Sequence, residues 1–220
     1  ILATAKEVME DRPEIADGML LSISENSDAY GDACLLLAIC RLREEDFSGA
    51  ADYFEKTLSC EKYYGRAVCN LFGIYTYSGD DEKAEKYYNE VKKYVNKNAL
   101  TVSGTGDFSD VFKYAGLLSV KRGAAVAYDF AVKIKELFPS AAEAVYFSAF
   151  AAFNVKKYDE AAENFLRYYK LTGKPYVEFY RRTALRALNG NADYKKLNFC
   201  YGYPQEEIKR INEKAEKLAK

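Results

Sequence analysis

Histidine and tryptophan are both missing from this 220-residue chain. Without histidine it lacks the commonest general base at neutral pH and the commonest metal ligand together. Cysteine occurs five times, at Cys34, Cys40, Cys60, Cys69 and Cys200, an odd number with no C-x-x-C pair. No cysteine cluster has zinc spacing, and free thiols fit a reducing compartment, so the expected location is the cytoplasm. No apolar run reaches the roughly 18 residues that a membrane-spanning helix needs. Charge of one sign is not in excess either. With 32 basic and 33 acidic residues the formal charge is −1, which gives no bulk attraction to nucleic acid or anionic lipid. The runs KKYVNK and IKRINEKAEKLAK are interleaved with acids or neutral residues, as solvated helix faces are.

What is present is a period. Ala16, Ala50, Ala84, Ala127 and Ala161 are separated by 34, 34, 43 and 34 residues, one spacing interrupted once by nine extra positions. Three positions before each stand Pro13, Phe47, Asp81, Ala124 and Tyr158; four after stand Leu20, Phe54, Tyr88, Ala131 and Phe165. Twelve before the last four stand Ala38, Phe72, Ala115 and Ala149. Small residues on two antiparallel helices let their backbones approach, and bulky residues one turn away fill the remaining space. A recurring unit of this length marks stacked helical hairpins.

In these residues the chain resembles the tetratricopeptide repeat (TPR) family, over roughly residues 1–190. Its 34-residue unit carries small residues on both helices, an aromatic before the second and often a closing proline. Ala38, Phe47, Ala50 and Phe54 match it, as do Ala149, Tyr158, Ala161 and Phe165. Ala115, Ala127 and Pro139 match in between, with Ala131 in place of a large residue and Phe130 expected to supply the packing. Phe72 stands where a small residue belongs, and the family's preferred tryptophan is missing. The resemblance implies an all-α, right-handed superhelix of about five hairpins plus a C-terminal helix.

Along the chain, ILATAKEVMED is expected to form a short helix, and Pro13 suits the first turn of the next. Residues 1–30 form a truncated first repeat; 31–98 and 108–175 hold two hairpins each. Segment 99–107 is an inserted loop, and its Gly104-Thr105-Gly106 lacks the strand and lysine of a phosphate-binding loop. Residues 176–220 form an atypical terminal repeat and a capping helix, the whole making one elongated domain. Ser78-Gly79-Asp80 and Gly173-Lys174-Pro175 supply turn chemistry. The opening at Ile1, just after a first helix should begin, is what a segment cut from a longer protein would show.

The resemblance further implies that first helices line a concave groove that binds a peptide or protein. Carried onto this sequence, the groove takes Asn70, Tyr77, Phe112, Lys113, Tyr146, Phe150, Asn154, Tyr180 and Arg181. Leu36 and Phe147 lie on the same stripe. Aromatic anchors with polar neighbours make binding hot spots, although part of the Phe147, Phe150 and Phe153 stripe must face its own hairpin. A clamp for a chaperone tail's carboxylate is disfavoured, since of Leu35, Ile39, Asn70, Ser109 and Lys113 only Asn70 and Lys113 fit. No catalytic residue, metal site or cofactor is expected: Asp80-Asp81-Glu82 and Glu44-Glu45-Asp46 read as helix starts favoured by the dipole. The expected function is therefore a scaffold or adaptor that binds protein. The alternatives are an accessory region of a larger enzyme or sensor, or a self-associating array.

Overall fold

The computed structural model describes residues 1–98 and 109–190, without the side chains of 109, 110, 113 and 115. The expected inserted loop at 99–107, the part of the expected terminal repeat and capping helix beyond residue 190, and Cys200 lie outside the described residues. Those described form helices and turns alone: α1 (Leu2–Val8), α2 (Pro13–Leu21), α3 (Tyr30–Arg43), α4 (Phe47–Thr57), α5 (Glu61–Ser78), α6 (Asp81–Lys97), α7 (Ser109–Lys121), α8 (Ala124–Leu137), α9 (Ala142–Asn154), α10 (Tyr158–Thr172) and α11 (Val177–Leu188). The chain divides into two compact units, Ile1–Val102 and Ser103–Lys220. Each is an all-α stack of helical hairpins.

Local chemistry starts and stops these helices. Pro13 opens α2, where its missing N–H costs no hydrogen bond. The Asp46 carboxylate accepts from the Gly49 N–H at 2.9 Å, and Asp80 accepts from the Lys83 N–H at 3.0 Å, capping α4 and α6. Three hairpin turns share one further device. Glu45, Gly79 and Lys156, each five residues before a repeat alanine, adopt left-handed conformations with φ of 60°, 86° and 64°. The following N–H then reaches back to a carbonyl of the preceding helix: Asp46 to Arg41 at 2.8 Å, Asp80 to Tyr75 at 3.1 Å and Lys157 to Ala152 at 2.9 Å. This closure satisfies carbonyls that the helix end would leave bare.

Packing follows the repeat. Ala16, Ala50, Ala84, Ala127 and Ala161 are all buried, as are Leu20, Phe54, Ala131 and Phe165 one turn on. Sixteen residues before the last four alanines stand Cys34, Val68, Val111 and Val145, again all buried. In the first unit α1 through α6 pack in sequence and α3 also touches α5; in the second, α7 through α11 do so and α7 also touches α9. Burying one apolar side chain of this size contributes about 1.5–3 kcal/mol, so the recurring positions define the core. Two substitutions in the pattern are absorbed locally. Phe72 reaches Tyr88, ring centroids 5.4 Å apart, and Phe130 beside Ala131 meets Tyr114 at 6.5 Å. The α5 helix starts at Glu61, and the Cys60 carbonyl accepts the N–H groups of Tyr63 and Tyr64.

Candidate functional site

Only some of the expected groove residues are at the surface. Asn70 is fully enclosed in α5, its amide donating to the Arg66 carbonyl at 2.9 Å, so a polar residue expected to face a ligand sits in the core. Phe112 is buried edge-on against Phe138 at 6.0 Å. Phe150 is buried between Phe165 at 5.2 Å and Tyr180 at 5.1 Å, and Tyr180 is itself buried, stacked on Phe165 at 5.5 Å. These four are corrections to the groove reading. The helices α9, α10 and α11 enclose a single aromatic core, which uses the helical-period stripe that a groove would need. The side chain of Lys113 is not among those described.

The other four are partly exposed. Tyr77 lies at the end of α5 with its ring 4.2 Å from Phe47. Tyr146 leans on Phe150 at 4.6 Å and Tyr168 at 4.8 Å, so it is as much packing as surface. Asn154 closes α9, and Arg181 pairs with Glu178 at 2.8 Å on α11. Fourteen residues before their repeat alanines, Leu36 on α3 and Phe147 on α9 are also half-exposed, and Asn70 is the buried residue in that register. Large apolar side chains held partly in water at a repeated position of the first helices are the surface feature that the sequence pattern and the packing share.

Acid–tyrosine contacts, which no spacing in the chain announces, link successive hairpins. The Glu55 carboxylate on α4 accepts from Tyr75 at 2.8 Å and from Tyr87 of α6 at 3.2 Å, the two rings stacked 5.5 Å apart. Burial, then the nearby Glu55 charge, pushes the Tyr87 hydroxyl up to about 12. In the second unit Tyr128 of α8 donates to Glu160 of α10 at 2.6 Å, with Lys157 over the Tyr128 ring and Lys135 3.3 Å from the same carboxylate. Between first helices, Tyr63 of α5 donates to Asp32 of α3. That hydrogen bond, with Lys62, holds the Asp32 carboxyl below the usual range. With 20 tyrosines and 33 acids, too many pairings were open for any to stand out.

Burial raises the thiols of Cys34, Cys40 and Cys69, which keeps them protonated and poorly nucleophilic. Among the described residues no three His, Cys, Asp or Glu side chains are grouped to hold a metal. No described helix is long and apolar enough to cross a membrane.

Neither a family model nor a curated protein matches the chain. Among solved structures it is similar to the crystal structure of MamA protein, at 13% identity over 81% of this chain and all of that one, with a TM-score of 0.37. It is also similar to a tetratricopeptide repeat protein from Parabacteroides merdae ATCC 43184, at 16% identity over the whole of this chain and 86% of that one, with a TM-score of 0.44.

Proposed function

We propose that this chain is a non-covalent protein-interaction module of the scaffold or adaptor type, using the exposed side of its first helices. One observation carries the reading: Leu36 and Phe147 occupy one register of α3 and α9 and are only partly covered. Asn154 at the end of α9 and Arg181 on α11 are partly exposed polar groups able to hydrogen-bond a peptide backbone or carboxylate. Helices already held by their hairpins offer such a face without further ordering cost on binding. A cytoplasmic setting would keep the free cysteines reduced.

A photo-reactive amino acid in place of Phe147 tests this in cells of the source organism. The same probe at Tyr169, exposed on the second helix α10, is the control. A defined partner adduct at Phe147 and none at Tyr169 is expected. Equal labelling at both positions, or none at Phe147 with helicity intact, refutes the reading.

A further inference from the structure

A cleft of about 460 Å³ opens at the end of the α5/α6 hairpin remote from its turn, between the first turn of α5 and the last two turns of α6. We propose that it seats a short extended segment of a partner protein in which an acidic and a basic side chain flank an aromatic one. The site is separate from the first-helix face and does not depend on it.

The walls dictate that occupant. Tyr64 and Tyr94 present two rings, centroids 5.9 Å apart and tilted by 44°, as flat surfaces for an aromatic side chain. Glu90 is already satisfied: it accepts from the Tyr64 hydroxyl at 2.9 Å and from Lys93 at 2.8 Å. Those contacts hold the tyrosine in place and cancel one charge of each sign. Two lining charges are left over. Lys97 on the α6 wall and Glu61 on the α5 wall are exposed and make no ion pair or hydrogen bond among the described residues. The lining thus offers a free cation on one helix, a free anion on the other and aromatic surface besides. A peptide carrying the opposite charges on either side of an aromatic residue meets all three. The volume lies within the range of about 300–1,000 Å³ usual for ligand clefts.

The test titrates acetyl-Gly-Glu-Phe-Lys-Gly-amide into the isotope-labelled full chain and follows amide resonances by NMR. Saturable shifts at Lys97, Glu61 and Tyr94 are expected. The two pairs are exposed, so a peptide with both charges replaced by glutamine binds about two- to thirtyfold more weakly. Replacing its phenylalanine by alanine removes saturable binding. Lys97→Glu weakens the charged peptide several-fold, with far-UV circular dichroism checking that helicity is kept, since the new acid stands in the last turn of α6. Lys97→Glu combined with Glu61→Lys restores an affinity for charged over neutral peptide. Equal binding of charged and neutral peptides overturns the proposal. So does indifference to Lys97→Glu, or shifts confined to the first-helix face around Leu36. The cross-linking result at Phe147 stands or falls independently of these outcomes.

Discussion

Replacing Lys156 by glycine is expected to stabilise the protein, while replacing Gly79 by alanine destabilises it, although the two occupy the equivalent turn of two repeats. Lys156 holds φ at 64° and Gly79 at 86°. A Cβ in this region costs roughly 1–2 kcal/mol through its clash with the neighbouring carbonyl. Glycine removes that cost but frees the unfolded chain, which returns about 0.4–1 kcal/mol. Lys156 is exposed and takes part in no hydrogen bond through its side chain, so truncation forfeits no packing. Its N–H bond to the Phe153 carbonyl, 2.9 Å, belongs to the backbone and survives. The net gain for Lys156→Gly is about 0.5–1 kcal/mol, and Gly79→Ala loses a similar amount. At a urea dependence of about 1.5 kcal/mol per molar, the midpoints move by about 0.3–0.7 M in opposite directions. Far-UV circular dichroism across a urea series reads both variants. A lowered midpoint for Lys156→Gly, or an unmoved one for Gly79→Ala, would refute the argument that a shared left-handed position closes these hairpins.

Two further outcomes follow from close contacts. A Cβ on Gly65 would lie 2.4 Å from Tyr94 Cε1, so Gly65→Ala should destabilise by about 1–2 kcal/mol, overpacking outweighing its better helix propensity. In a Tyr94→Ala background the same change should stabilise by about 1 kcal/mol, and a denaturation cycle giving one sign in both backgrounds contradicts the contact. Tyr63→Phe should weaken the protein at neutral pH by removing the hydroxyl that holds Asp32 ionised. Because the folded carboxyl titrates below the unfolded one, that stabilisation is complete above the ordinary carboxylate range and drains away on acidification. The gap between wild type and variant should therefore narrow as the pH falls through and below the ordinary carboxylate range, and a gap independent of pH would exclude the linkage.

The fold was legible where a residue's role depends on size alone. Ala50 and Ala161 recur because two helix backbones cross there, and both are wholly buried. Pro13 and Gly79 likewise announced a helix start and a turn through constraints on their own backbones. Glu45 and Lys156 share Gly79's conformation but no constraint of their own, so their left-handed geometry was not legible, although Glu44-Glu45-Asp46 did read as a turn before a second helix. The binding face was harder to read. Whether Phe147 or Phe150 meets water depends on a rotation of α9 by less than one turn, which α10 and α11 set together. Asn70, which the family's register placed in the groove, lies in the core instead: its amide N–H donates to the Arg66 carbonyl, and its Oδ1 is buried without a hydrogen-bond partner among the described residues. The cleft beside Tyr94 joins residues of separate helices at no repeated register, so no periodicity pointed to it.

The acid–tyrosine links make neighbouring hairpins specific to one another. Glu55 receives Tyr87 from five residues past one repeat alanine to three past the next, whereas Tyr128 gives to Glu160 from one residue past to one residue before. Donor and acceptor change places, and so does the level along the helix. A gene rearranged to put α9 and α10 directly behind α3 and α4 would set Asn164 where Glu55 finds a phenol. Modules of equal length here are not interchangeable parts: each carries an address readable only by its natural successor.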